Sequence, residues 1–241
     1  MPNNYFQFQQ FRIEQSACAM KVSTDACLLG AAADLRGATR LLDIGTGTGL
    51  LALMAAQQNP TVEVEAVEID AAAAAQAAIN AAASPWARRI RVHAQSLADY
   101  AATSPAPFSH IICNPPFFRQ SLRSPDAART TARHAAADTL SFAAVAAFAA
   151  AFLEPAGLLT VLLPPLEMGN FAQEAAACGL HPATRLVVRH RPGSRVLRHI
   201  TGFRQAAQVV AETELTIRAA AGDAEYSAAF RALLAGFYLA L

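Results

Sequence analysis

Apolar residues along this chain fall into two rhythms that take turns. Short runs at 41–44, 62–68, 90–94, 108–113 and 157–163 have the length and side-chain content of buried strands. Between them, 50–58, 71–82 and 140–153 are long enough for helices, the last closing at Glu154-Pro155. Strand and helix in alternation predict a parallel sheet joined by crossovers on its two faces. Beyond Pro164-Pro165 the rhythm changes. Residues 171–178 predict a helix stopped by Gly179, and 180–189 with 196–203 predict a hairpin about Pro192-Gly193 that places one antiparallel strand in the sheet. Residues 212–217 add a candidate edge strand, and Ser227 opens a last helix whose Phe230, Leu233, Leu234, Phe237 and Tyr238 form one apolar face.

At the other end, Phe6, Phe8, Phe11 and Ile13 predict a short hairpin laid over the core. A helix at 26–33 follows, which Thr24 or Asp25 would cap. The expectation is an α/β fold with a seven-stranded, mostly parallel sheet, one antiparallel strand and helices on both faces. It is expected as a single domain over 1–241, with an N-terminal extension at 1–39, a core at 40–163 and a C-terminal hairpin and helix at 164–241.

A chain of 241 residues can bury a core of that size. Its net charge of +1 gives no global sign of a polyanionic partner, but the distribution changes the picture. Lys21 is the only lysine, and the arginines cluster: Arg119, Arg123, Arg129 and Arg133 in one segment, Arg185, Arg189, Arg191, Arg195, Arg198 and Arg204 in another. Asp126 is the one acid in those two segments, so a nearly neutral protein can still carry a positive face. Cys18, Cys27, Cys113 and Cys178 lack the close pairing of a metal or disulfide framework and read as free thiols. The start Met1-Pro2-Asn3-Asn4 has no basic head and apolar centre, and 140–153 is too short to cross a bilayer. The expectation is a cytoplasmic protein without a metal or a membrane partner.

Two motifs carry chemistry. Gly45-Thr46-Gly47-Thr48-Gly49 follows the first core strand and opens a helix, a turn in which backbone approaches a ligand without side chains intervening. Asp43 just before it is unsuited to a pyrophosphate but compatible with an ammonium group. Glu68 ends the next strand, where an acid accepts ribose hydroxyls, and Asp70 is the expected cap of helix 71–82. The third strand leads to Gln95-Ser96-Leu97, where an adenine is expected. The second motif, Asn114-Pro115-Pro116-Phe117, ends the fourth strand with a planar amide, a stiff turn and an aromatic ring, which suits a flat amine-bearing substrate. In an open parallel sheet the ends of the first and fourth strands are neighbours, so the two motifs are expected to meet. Upstream, Lys21 with Thr24-Asp25 either caps a helix or closes over a charged cofactor.

These residues resemble a Rossmann-like class I adenosylmethionine-dependent methyltransferase with an Asn-Pro-Pro-Phe motif. More narrowly, Cys18-Ala19-Met20-Lys21-Val22 with Thr24-Asp25, the turn at 43–49, Ser84-Pro85-Trp86-Ala87, Ala132-Arg133-His134 and Phe237-Tyr238-Leu239 resemble the bacterial tRNA (adenine-N6)-methyltransferases that modify adenine 37, next to the anticodon of valine tRNA. The resemblance implies S-adenosyl-L-methionine as cofactor, held by Lys21, Thr24, Asp43, Gly45, Gly47, Glu68, Ser96 and Asn114. It implies catalysis by Asn114 and Pro115 with Phe117 stacked on the base, and a tRNA anticodon loop contacted by Arg119, Arg123, Arg129, Arg133, Arg191 and Arg195. One position departs: Ser96 stands where the family has an acid for the cofactor's adenine amine, and Asp99 is the alternative. Other planar amines of the same fold class, a protein glutamine or a guanine of ribosomal RNA, stay open from the residues, as does a noncatalytic RNA-binding protein on this fold.

Overall fold

The computed structural model describes residues 4–18, 20–116, 140–219 and 225–240. The chain opens with the hairpin β1 (Tyr5–Gln7) and β2 (Arg12–Glu14), in which Phe6 faces Ile13. Helix α1 (Thr24–Ala32) begins earlier than its apolar pattern. Its cap is neither Thr24 nor Asp25 but Ser23, which has the extended backbone a cap requires and accepts from the Ala26 N–H. From there β3 (Arg40–Ile44), α2 (Leu50–Gln58), β4 (Glu63–Glu68), α3 (Ala71–Ala82), β5 (Ile90–Ala94), α4 (Leu97–Ala102) and β6 (Phe108–Cys113) alternate, α4 being a short helix that the apolar pattern does not mark. Asp70 caps α3 through the Ala73 N–H.

After residue 140 come α5 (Phe142–Phe152), β7 (Leu153–Leu163), α6 (Pro165–Ala177), β8 (His181–Arg189), β9 (Val196–Arg204), β10 (Ala211–Thr216) and α7 (Ala228–Leu234). Two starts differ by four residues or more from the sequence pattern, and α7 stops at Leu234, so Phe237 and Tyr238 lie beyond the helix whose face they are expected to complete. β7 starts at Leu153 rather than 157, because its early residues can pair loosely ahead of the main ladder with β6. α6 starts at Pro165 rather than 171: a proline in the first helical turn has no N–H to lose and the right φ, so the pair that stops β7 also starts the helix.

The main sheet has the order β10-β8-β9-β7-β6-β3-β4-β5, eight strands rather than the expected seven. The additional strand is β10, which pairs parallel to β8 and is joined to it by Arg185–Glu212 at 3.2 Å and Arg189–Glu214 at 2.8 Å. Among the described strands of this sheet β9 alone runs antiparallel, between β7 and β8. Side chains alternate faces along each strand. Leu41 packs with Phe8, Leu28, Leu53 and Phe230 on one face, whereas Leu42 and Ile44 pack with Phe108, Phe148 and Phe171 on the other. The chain ends join the first of these cores, since Phe8 bridges Tyr238 and the Gln9 N–H donates to the Phe237 carbonyl.

What matters for the site is the reversal in strand order. The chain runs from β3 outward through β4 to β5, then returns to lay β6 on the other side of β3. Ile44 is registered opposite Cys113. Gly45 and Asn114 therefore leave the sheet side by side, at the crevice where such folds hold ligands.

Candidate active site

Beneath the glycine turn lies Asp43, fully buried, with Oδ2 accepting from the Thr46 hydroxyl at 2.5 Å and the Ala52 N–H at 3.2 Å. Burial pushes its carboxyl up to about 7, against the pull of those two donors. It lines neither cavity described below. Through Oδ2 the side chain works as a clamp that fixes the turn from below, bonded to the turn and to the start of α2. Its Oδ1 is buried without a donor among the described residues.

Above the clamp, Gly45, Gly47 and Gly49 have φ of +69°, +57° and +83°, the left-handed region that a Cβ disfavours. The Gly45 and Thr46 N–H groups both donate to the Val67 carbonyl of β4, at 2.9 and 3.1 Å. Glu68, the last residue of β4, accepts from the Gly47 N–H at 2.9 Å and the Asp70 N–H at 3.0 Å. The glycine turn and the acid next to it are thus one hydrogen-bonded unit.

A second set of bonds brings the N-terminal segment over this unit. Asn80 of α3 accepts from the Glu14 N–H and donates to the carbonyls of Glu14 and Thr48, all within 2.9 Å. Gln15, 5% exposed, accepts from the Val22 N–H at 2.9 Å. The hairpin, the glycine turn and the stretch 20–22 are held together by two buried amides whose polar groups would otherwise be stranded.

Two cavities open on the crevice. The first, about 410 Å³, is lined by Gly45, Glu68, Ile69, Ser96, Leu97 and Asn114, together with Leu140 and Ser141. The second, about 310 Å³, is lined by Lys21, Asp25, Gly47, Asn114, Pro115 and Arg198. Met20, Gly45, Asn114 and Pro116 belong to both linings, so the two spaces adjoin at the tips of β3 and β6. Ser96 caps α4 by accepting from the Asp99 N–H at 3.0 Å and donates its own proton to Asp99 Oδ2 at 2.6 Å. A hydroxyl has one proton and two lone pairs. What Ser96 has left to offer the first cavity is an acceptor, with Asp99 behind it drawing on its proton.

Of the sequence-predicted site residues, Lys21, Gly45, Gly47, Glu68, Ser96, Asn114 and Pro115 are brought together around these cavities. Thr24 is exposed on the first turn of α1 and lines neither; its neighbour Asp25 does. Arg191 and Arg195 flank the β8–β9 turn and line neither cavity, and Arg185 and Arg189 in the same stretch are paired with Glu212 and Glu214. Phe117, Arg119, Arg123, Arg129 and Arg133 lie outside the described residues. Met20, Leu140 and Ser141 entered no predicted site, and Arg198 is expected only as one of the arginines along the β8–β9 hairpin, a candidate RNA-phosphate surface. Met20 lies inside the Cys18–Val22 stretch and Leu140 and Ser141 open the apolar run at 140–153, whereas nothing in the local sequence separates Arg198 from the other arginines. Among the described residues no helix is long and apolar enough to cross a membrane, and no group of three or more His, Cys, Asp or Glu could hold a metal ion.

A glycine turn tied to a strand-end acid, facing an Asn-Pro-Pro turn across the switch point of a sheet with one antiparallel strand, defines a class I adenosylmethionine-dependent methyltransferase. The methyltransferase small domain family matches residues 19–161. The chain belongs to the tRNA1(Val) (adenine(37)-N6)-methyltransferase family: it is 41% identical over 239 residues to the protein of that name from Phocaeicola vulgatus, covering 99% of both chains. The Serratia proteamaculans protein of the same name is 43% identical over 238 residues, covering 97% of this chain and 89% of its own. Among solved structures, a predicted O-methyltransferase from Agrobacterium tumefaciens superposes with a TM-score of 0.61 at 21% identity, over 88% of this chain and 96% of that one, which shows the shared fold.

Proposed function

We propose that this protein transfers a methyl group from S-adenosyl-L-methionine to N6 of adenine 37 in tRNA1(Val), the reaction named for its relatives. The observation that carries the reading is the shared wall. Gly45 of the cofactor turn and Asn114 of the amine motif bound both cavities, so a donor in one and an acceptor in the other meet at that wall.

The residues present fit the cofactor. Glu68 stands where a ribose would offer two hydroxyls, Ile69 and Leu97 give apolar faces for a purine, and Ser96 gives an acceptor for an exocyclic amine. When bound, the cofactor supplies a methyl already activated on a sulfonium. The protein's own task is alignment and charge. The Asn114 side-chain oxygen and the Pro115 carbonyl would accept the two N6 hydrogens, favour a pyramidal nitrogen with its lone pair toward the donor, and stabilise the positive charge that grows on it. Pro115 is buried and Pro116 stiffens the turn, so that carbonyl is held rather than searched for. Phe117 is assigned the stacking role, worth about 1–3 kcal/mol for a base on an aromatic ring. Arg119, Arg123, Arg129 and Arg133 are assigned to the phosphates around the flipped base, with Arg191 and Arg195 as a more remote contact. The shared core that takes in Phe8 of the hairpin and Phe237 of the C-terminus supports reading the whole chain as one working domain.

The test is transfer of labelled methyl to an unmodified tRNA1(Val) transcript and to one with guanine at position 37. Label in N6-methyladenosine from the first transcript alone is the expected result. Label on the second transcript, in guanine, or on a protein glutamine would reassign the acceptor.

A further inference from the structure

The second cavity has a charged wall that the reaction as described does not use. Arg198 stands near the start of β9, and because β9 runs antiparallel its start lies beside the end of β7, with His199 registered opposite Leu163. That places Arg198 at the same rim as Asn114 and Pro115, in the lining of the cavity they share. Its Nε donates to Asp25 Oδ2 at 2.8 Å and its Nη1 to the Leu197 carbonyl at 2.7 Å, which fixes the plane of the guanidinium. Both partners of the ion pair are about a quarter to a third exposed, at 25% and 30%. Lys21, the other described cation of this cavity, sits on the same segment as Asp25.

We propose that Arg198, aimed by Asp25, is the anion-binding residue of the second cavity, recognising a carboxylate or phosphate brought in with the reactants. The inference rests on the donor and acceptor reading above. If the adenosine half of the donor fills the first cavity, its sulfonium falls at the shared wall and its amino-acid end points into the second. A nucleotide entering from the Asn114 side brings a phosphate to the same place. Both are oxyanions of the kind a fixed guanidinium recognises with a geometry that a lysine does not reproduce. Pairing with Asp25 sets the aim, and Lys21 adds a second positive charge to the same lining.

Calorimetry separates the two sources. S-adenosylhomocysteine and its decarboxylated analogue are titrated into the wild type and into Arg198→Gln, Arg198→Lys and the exchanged pair Arg198→Asp with Asp25→Arg. An anticodon stem-loop RNA is titrated at several salt concentrations. If the anion is the donor's carboxylate, the wild type prefers adenosylhomocysteine over the analogue by about tenfold or more. That preference disappears in Arg198→Gln, while binding of the analogue is unchanged. If it is a phosphate, adenosylhomocysteine binds every variant alike, and the RNA salt slope of Arg198→Gln falls by about one counterion. Either result, with only partial recovery in Arg198→Lys, supports the assignment. Unchanged ligand and RNA binding in Arg198→Gln overturns it. So does full recovery of binding in the exchanged pair, because that variant restores the ion pair but moves the cation off β9, and recovery would mean that the pair is structural. A wild type that binds neither adenosyl ligand contradicts the functional reading first, and this inference with it.

Discussion

Asp43→Asn probes the clamp under the glycine turn through its dependence on pH. The buried carboxyl rises from 3.8 to about 7 on folding, so the folded-state value is the higher of the two. Between those values the folded protein holds a proton that the unfolded chain has released. Stability is therefore fully present below about pH 4, falls as pH rises toward about 7, and is level above that. Each tenfold change in proton affinity is worth about 1.4 kcal/mol, so the loss by pH 8 is on the order of 4 kcal/mol. An asparagine keeps an oxygen for the Thr46 hydroxyl and Ala52 N–H, and its amide nitrogen takes the place of Oδ1, where no described group stands ready to accept. A stranded buried donor costs about 1–3 kcal/mol, less than the charge it replaces. The variant is expected to be more stable than the wild type at pH 8 by about 1–3 kcal/mol, with the advantage gone near pH 4. Urea unfolding of both proteins across that range reads it directly. A stability difference that does not change with pH would refute the reasoning, as would a variant weaker at pH 8.

The remaining predictions concern the bonds that shape the two cavities. Asn80→Leu removes three hydrogen bonds joining the hairpin to the glycine turn, and should destabilise the protein by about 3 kcal/mol and speed amide exchange at Glu14; unaltered exchange there would dissolve the proposed tie. Ser96→Ala should weaken adenosylhomocysteine by about tenfold but leave the inosine analogue, which has oxygen in place of the amine, unaffected; equal loss for both would take Ser96 away from the adenine. Asp99→Asn, acting only through Ser96, should weaken the same ligand by a smaller factor, and a loss larger than that of Ser96→Ala would place the carboxylate itself in the cavity.

The core of the fold was legible because its signals are local. The bounds 50–58, 71–82, 90–94 and 108–113 are those observed, since glycines, caps and periodic apolar runs stop and start each element within a few residues. The meeting of Gly45 with Asn114 was also legible, because strand order and the switch point constrain it. Where the sequence misled, partners far along the chain decided. Pro164-Pro165 reads as a stop and serves equally as a start. β10 reads as a candidate edge strand but falls outside the expected strand count, and arginines on β8 join it to the edge. Asp43 has the composition of a ligand for an ammonium, and only the path of α2 shows that it also clamps the turn. Arg198 is one arginine among many until Asp25, 173 residues away, gives it a direction.

At the centre stands Asn114, proposed to present an adenine amine of tRNA to an activated methyl group. Nucleoside mass spectrometry of tRNA1(Val) from cells lacking this protein, complemented with the wild type or with Asn114→Ala, tests that most directly. N6-methyladenosine at position 37 should be absent without the protein, return with the wild type and stay absent with the variant, even though the purified variant still binds adenosylhomocysteine. Modification that persists without the protein, or that Asn114→Ala restores in full, would contradict the account.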